Sequence, residues 1–296
     1  MPEPARPYRS VLYIPGSKPR ALDKARGLAA DAIIFDLEDA VAPDEKTNAR
    51  ATLSAALREG GYTPRARIVR INGAETDWHA DDLAAALDMA GDIDAILVPK
   101  VEQAGQIAAL AERLDATPGA AHVALWAMME TPRGILAAAE IAGAPRMGGF
   151  VMGTNDLAKD LGTRFRADRL PLQWALQSCV LAARAAGIVC IDGVYNAFKD
   201  EEGLAAECAQ GRDLGMDGKT VIHPAQIAIA NAAFAPTEEE IDLARRQIAA
   251  WEEAVANGQG VAVLDGRIVE NLHVATARAT LARAEAIATL EMEAAA

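Results

Sequence analysis

With 296 residues, 51% of them hydrophobic, the chain can fill a large α/β domain, and an aromatic content of only 4% makes Ala, Leu, Ile and Val the material of its core. A net charge of −13 argues against non-specific nucleic-acid binding, which rests on clustered Lys and Arg. No apolar run approaches the roughly 20 residues of a membrane span, and the opening MPEPARPYRS lacks the apolar segment of a secretory leader, so a cytoplasmic protein without membrane attachment is expected.

In chain order, short β-branched runs alternate with Ala-rich helical segments. Arg9–Ile14 is predicted as a first strand, stopped by Pro15-Gly16-Ser17, with a helix over Pro19–Ala30. Ala32–Leu37 is a second strand, ending in Asp36, Glu38 and Asp39, and Pro43–Arg58 a helix with Pro43 suited to its first turn. Arg67–Ile71 is a third strand, ended by Asn72-Gly73, and Trp78–Ala90 a helix whose early acids suit an N-terminus. Ala95–Val98, closed by Pro99-Lys100, and a helix over Glu102–Leu114 make the fourth unit.

The stretch from Val123 to Leu161 organises the rest. Two apolar runs, Val123–Met129 and Gly149–Met152, flank a helix over Gly134–Ala142. Each run ends in an acid beside turn chemistry: Glu130 before Thr131-Pro132, and Asp156 after Gly153-Thr154-Asn155. As neighbouring parallel strands they deliver both carboxylates to one end of a sheet. Mg²⁺ accepts such a pair of hard oxygen ligands, with water and substrate in its other positions. The same two acids are equally explicable as a helix cap and a turn residue.

A helix over Leu170–Ala186, a strand over Ile188–Ile191 ending at Asp192-Gly193, and a helix over Glu201–Leu214 come next. Lys219–Ile222 is an eighth strand, ended by His223-Pro224, and Ala225–Ala233 is helical. Eight strands alternating with helices match a (β/α)8 TIM barrel better than an open sheet, and no GxGxxG follows the first strand. The strand ends then share one mouth, ringed by Glu38, Asp39, Arg70, Lys100, Glu130, Asp156, Asp192 and His223. Asp192 reads as either a loop hydrogen-bonder or a site residue, and His223 as a rim histidine of structural rather than catalytic kind.

The barrel is expected over residues 1–235. Residues 236–296 form a C-terminal helical extension, too small for an independent core, that packs on the barrel, covers its mouth or reaches a neighbouring subunit. It opens on Thr237 as N-cap with Glu240 in capping-box position. A hairpin follows, over Val261–Leu264 and Arg267–Val269, then a last helix over Val274–Glu291. The three cysteines, Cys179, Cys190 and Cys208, lack metal-type spacing and read as reduced, buried thiols.

Several of these stretches together resemble the citrate lyase β-subunit and malyl-CoA lyase superfamily. They are RSVLYIPGSKPRALDKA and IIFDLEDAVAPDEKTNAR within Arg9–Arg50, IVRING at Ile68–Gly73, ILVPKVE at Ile96–Glu102, METPRGI at Met129–Ile135, GTNDLAKDLG at Gly153–Gly162, and GKTVIHPAQI. The resemblance covers nearly the whole chain. It implies a (β/α)8 barrel, a trimeric or hexameric homo-oligomer, and Mg²⁺ (with Mn²⁺ as its substitute) acting on CoA thioesters of 3-hydroxy diacids. Within the superfamily the wording, including VENLH near the end, is most similar to the (3S)-malyl-CoA thioesterases, which implies hydrolysis to malate and CoA. The alternative is lyase chemistry, C–C cleavage of malyl-CoA or citramalyl-CoA to an acyl-CoA and a 2-oxo acid. The lyases place an Asp where Arg267-Ile268-Val269-Glu270-Asn271 here has Glu270.

Residue by residue, the resemblance makes Glu130 and Asp156 the metal ligands, with Glu130 also holding substrate. Arg70 becomes the guanidinium at the thioester oxygen, where a bland reading is a salt-bridging surface Arg. Lys18 and Lys24 become contacts to CoA phosphates, beside a turn leading into a helix N-terminus. They belong to a basic cluster with Arg20 and Arg26 that reads alternatively as a solvated helix face. Glu38 and Asp39 are expected around the metal site. Glu270 becomes the carboxylate that in a lyase serves proton transfer and in a hydrolase activates water or attacks the thioester carbonyl, against the alternative of an exposed turn residue.

Overall fold

The computed structural model describes residues 6–295. Residues 1–5, half of the opening in which a leader was sought, and residue 296 lie outside the described residues. The chain folds as two compact units, one spanning Tyr8–Phe234 and the other built on the segment from Ala235 onward.

The first unit is a closed barrel of eight parallel strands in sequential order, with the eighth pairing back onto the first. The strands are β1 (Ser10–Pro15), β2 (Ala32–Asp36), β3 (Ala66–Arg70), β4 (Ala95–Val98), β5 (Ala124–Met129), β6 (Met147–Met152), β7 (Val189–Asp192) and β8 (Gly218–Val221). The helices are α1 (Pro19–Ala25), α2 (Lys46–Glu59), α3 (His79–Asp88), α4 (Ala104–Asp115), α5 (Pro132–Leu136), α6 (Ala138–Ala142), α7 (Thr154–Asp160), α8 (Gln173–Ala186), α9 (Glu201–Asp213) and α10 (Ile227–Phe234). The fold expected from the alternation is therefore the fold found. Three details differ. α1 stops five residues early, where Arg26 and Gly27 close its last turn. The single helix expected over Gly134–Ala142 is two short ones, broken at Ala137. The GTNDLAKD motif, expected to carry turn chemistry at Gly153-Thr154-Asn155 and no helix, forms α7.

Alternate residues of each strand point into the barrel, and those inward positions change character along its axis. Below the mouth they are Val11, Ala32, Ile34, Ala66, Ile68, Ala95, Leu97, Trp126, Val151 and Ile191, which pack as one buried cluster. With so few aromatics in the chain, Trp126 fills much of this space, set edge-on to Tyr8 with centroids 5.2 Å apart. The small Ala32, Ala66 and Ala95 belong to the same cluster, and a Cβ at Gly149 would collide with the indole. One step further along each strand the inward residues become Tyr13, Asp36, Arg70, Met128 and, just past β5, Glu130, all facing one cavity. The outward residues, such as Leu12, Ile33, Phe35, Val69, Ile96 and Phe150, form the larger core against the helices.

The second unit holds α11 (Glu238–Ala256), the hairpin β9 (Ala262–Leu264) and β10 (Arg267–Val269), and α12 (Asn271–Ala295). Its small core joins Ala254, Ala262, Val269 and Val274. Thr237 and Glu240 form the capping box: Glu240 N–H donates to Thr237 Oγ1 at 3.2 Å, and Thr237 N–H to Glu240 Oε2 at 2.8 Å. Among the described residues no helix is long and apolar enough to cross a membrane.

Candidate active site

The register of β2 against β3 sets Asp36 directly opposite Arg70. Both are inward, so the two side chains meet as a fork: Arg70 Nε donates to Asp36 Oδ1 at 2.7 Å and Nη2 to Oδ2 at 2.6 Å. Asp36 also accepts the backbone N–H groups of Glu38 and Ala40, each at 2.9 Å, and so shapes the loop that carries Glu38 and Asp39. Nη1 of Arg70 is left for other partners. Glu38 Oε2 lies 2.8 Å from it, close enough for an ion pair but out of line for a hydrogen bond, and Asp39 is at 3.5 Å. The guanidinium sits over the Tyr13 ring at 4.9 Å. Burial alone would lower the Arg70 pKa; Asp36, Tyr13 and Glu38 outweigh it and hold the pKa well above its ordinary value. Burial pushes the Tyr13 phenol up.

Below this loop the ammonium of Lys46, although buried, is fully satisfied. It donates to the carbonyls of Leu37 at 3.0 Å and Glu38 at 2.7 Å, and to Asn72 Oδ1 at 2.7 Å. Lys46 thereby fastens the Glu38 backbone to the end of β3.

Glu130 stands at the end of β5 and is 2% exposed. Its Oε1 accepts the Lys100 N–H at 2.7 Å. The chain passes so close that a side chain at Gly153 would overlap the Glu130 Cβ and Oε2, so only glycine fits there. Asp156 lies three residues further on, in the first turn of α7, and lines the same cavity of about 300 Å³ with Glu130 and Arg70.

Too many acids share this space. Burial raises Glu130 to about 7 and Glu38 to about 8; Arg70 opposes both shifts, and Asp156 and Asp39 respectively add to them. A carboxyl whose pKa rises on folding favours the folded state most when protonated. These two therefore oppose folding increasingly as pH climbs from 4.5, their ordinary value, through about 7 to 8. The Lys100 pKa is raised as well: burial lowers it, but Glu38, Glu75, Glu130 and Asp156 outweigh burial and favour its charged form. A divalent cation between Glu130 and Asp156 fits this surplus of negative charge. Among the described residues no three His, Cys, Asp or Glu side chains form a closed metal-binding group. A pair of carboxylates with water and substrate completing the shell matches Mg²⁺ better than Zn²⁺.

Of the remaining sequence-derived candidates in the barrel, Lys18, Lys24, Asp192 and His223 do not line this cavity. Lys18 is exposed in the turn after β1 and pairs with Glu45 at 3.0 Å. Lys24 is exposed in the last turn of α1. Glu270 belongs to the second unit, exposed where α12 begins, and its backbone N–H donates to His273 Nδ1 at 3.0 Å. Asp192 faces outward into the helix layer, wholly buried, where it binds Arg169 at 2.7 Å and Lys219 at 3.3 Å. Its pKa is lowered: burial raises it, and Lys219 and Arg169 overcome that. His223 accepts the Ala225 N–H at 3.2 Å and stacks on Phe198. Sequence reasoning assigned no role to Tyr13, Lys46, Met128 or Asn196, and left Asp36 as a strand end. Strand parity alone could have found Tyr13, an inward residue of β1, and Asp36, the last inward residue of β2.

Comparisons with known proteins agree with the barrel fold. A family model described as HpcH/HpaI aldolase/citrate lyase matches residues 9–224. A (3S)-malyl-CoA thioesterase of Cereibacter sphaeroides is 63% identical over 288 residues, covering 97% of this chain and 98% of the relative. An L-malyl-CoA/beta-methylmalyl-CoA lyase of the same species is 35% identical over 309 residues, covering 97% of each. Among solved structures, the protein CitE from Mycobacterium tuberculosis in complex with magnesium, acetoacetate and coenzyme A superposes with a TM-score of 0.75 at 32% identity. That match covers 95% of this chain and 98% of CitE.

Proposed function

The chain belongs to the HpcH/HpaI aldolase/citrate lyase family, and from that membership and the geometry of the barrel mouth we propose that it hydrolyses the thioester of (3S)-malyl-CoA to malate and CoA. The identity to the thioesterase, 63% over almost the full length of both chains, carries the choice of bond. The cavity supports the choice of substrate. Five carboxylates, Asp36, Glu38, Asp39, Glu130 and Asp156, surround one buried guanidinium. An anionic hydroxy acid enters such a field only in company with a cation.

Glu130 and Asp156 would hold a divalent metal, Mg²⁺ in this reading with Mn²⁺ as its substitute, and the bound ion supplies Lewis-acid contact to the substrate's hydroxyl and carboxylate oxygens. Arg70 has Nε and Nη2 committed to Asp36, so Nη1, which pairs with Glu38 at 2.8 Å and donates to Met128 Sδ at 3.6 Å, is the group assigned to the thioester oxygen. There it stabilises the charge that builds as water adds to the carbonyl carbon. The new C–O bond forms, the C–S bond breaks, and the sulfur leaves as a thiolate that takes up a proton. The carboxylate proposed to accept the proton of the attacking water is Glu270. Lys18 and Lys24 are assigned to the CoA phosphates. Self-association belongs to the same reading: Leu136, Phe165, Leu170, Trp174 and Leu181 are large apolar side chains left exposed in one copy.

Incubation with malyl-CoA is expected to release malate and one free thiol per ester, to stop on chelation of divalent metal and to resume with Mg²⁺. Glyoxylate and acetyl-CoA as products would instead establish the lyase reading, which the 35% identity to the malyl-CoA lyase keeps in play. Full activity after complete metal removal would overturn the metal assignment. Replacing Glu270 with Ala is expected to lower kcat by roughly 10²- to 10⁴-fold, the usual range for a lost general base, with little change in ester binding. An unaltered kcat would take Glu270 out of the chemistry.

A further inference from the structure

The cavity that holds Arg70, Glu130 and Asp156 has a neighbour of about 410 Å³, and Thr154, Asn155, Val194 and Asn196 line both. Asn155 follows β6 and Asn196 follows β7, and their amides bond reciprocally across the two loops. Asn196 Nδ2 donates to Asn155 Oδ1 at 2.8 Å, and Asn155 Nδ2 to Asn196 Oδ1 at 3.2 Å. Both side chains are exposed, so water competes for each bond and the pair is weak. Behind it the second hollow has an apolar wall of Ala158, Phe165, Pro171 and Leu172, and Arg164, Arg166, Arg169 and Glu207 also line it, with Arg166 paired to Asp168 and Arg169 to Asp192.

The order of groups round the mouth decides what would enter this hollow. Arg70 ends β3, Glu130 ends β5, Asp156 follows β6 and Asn196 follows β7. In the function proposed above, the thioester oxygen lies at Arg70 and the hydroxy acid at Glu130 and Asp156. The acyl chain then runs round the mouth from β3 towards β6. The second hollow lies past its carbinol end, the end remote from sulfur.

We propose that the Asn155–Asn196 pair is an acyl-selectivity wall. Closed, it confines the site to an unbranched malyl group, because an apolar branch on the carbinol carbon would strip water from two amides without replacing their hydrogen bonds. Opened, it gives such a branch the apolar wall of the hollow behind. A branch on the carbon next to the thioester lies on the other side of the hydroxyl-bearing carbon and gains nothing from the opening. The inference rests on the hydroxy-acyl reading of the site but not on which bond of the ester breaks.

The test compares wild-type protein with Asn196→Ala, and with Asn155→Ala as a second variant that removes the same pair from the other loop. kcat/KM is measured for malyl-CoA, for the ester carrying a propyl group on the carbinol carbon, and for its isomer with the propyl group next to the thioester. Calorimetry with malate and 2-propylmalate on the Mg²⁺-loaded protein supplies a readout in which no bond is cleaved. In each variant the ratio of carbinol-branched to unbranched ligand should rise roughly tenfold or more in both measurements, while the isomer's ratio stays within about twofold. Equal gains for both isomers, or no gain in either variant, would overturn the wall. A wild-type chain that cleaves none of the esters defeats the proposed function instead, and the calorimetric ratio still decides the wall.

Discussion

Asp156→Ala is expected to reduce turnover to below about 1% of the wild-type level while leaving the barrel folded, as removal of one of two ligands to a catalytic cation should. Asp156 is half-buried in the first turn of α7 and, among the described residues, makes no buried hydrogen bond that its loss would orphan. Its structural worth is that of an acid near a helix N-terminus, about 0.3–1 kcal/mol. Its chemical worth is larger because Glu130 alone cannot balance a divalent charge. Removing Asp156 also removes one of the groups that raise the Glu130 pKa. The variant should therefore gain less thermal stability from Mg²⁺ than the wild type does, and melting curves with and without the ion, run beside the activity assay, measure both effects. Near-normal turnover, or an undiminished stabilisation by Mg²⁺, would remove Asp156 from the metal site.

How far this mouth was legible in the sequence depends on what kind of fact each residue expresses. Strand period and turn residues are local, so all eight barrel strands were visible to within a few residues. Glu130 and Asp156 were visible because each ends an apolar run beside a turn. The Asp36–Arg70 fork was not, although both residues were in view: it depends on the register between β2 and β3, and no local pattern encodes register. Asp192 shows the opposite case. It ends a strand as Glu38 and Arg70 nearly do, but strand parity turns it outward, and there it binds Arg169 and Lys219. Helix α7 was hidden because Gly153 and Asn155 are turn-formers, and its seven residues are too few for a period to emerge. Lys46 reads as a surface lysine of an amphipathic helix. Only the fold reveals the two carbonyls and the Asn72 amide that converge on it.

Arg70→Lys keeps the charge and removes the fork, and the same geometry makes it nearly as damaging. The wild-type guanidinium does two things at once: Nε and Nη2 lock onto Asp36, and Nη1 stays free of that fork, on the side of Glu38. An ammonium is a point donor and cannot do both. If it stays with Asp36 it withdraws from the thioester oxygen. If it moves to the substrate it leaves the Asp36 carboxylate, itself buried, with fewer donors. kcat should fall by about 10²- to 10³-fold, the range for loss of one oxyanion donor. KM should change much less, because the contact strengthens as charge develops on the oxygen and adds little before that. Asp36→Asn serves as the companion measurement. It preserves the guanidinium but replaces one acceptor with a donor facing Arg70 Nε or Nη2, so it should depress kcat in the same direction while Arg70 remains in place. A lysine variant that turns over at the wild-type rate would mean that the guanidinium does no more than brace Asp36.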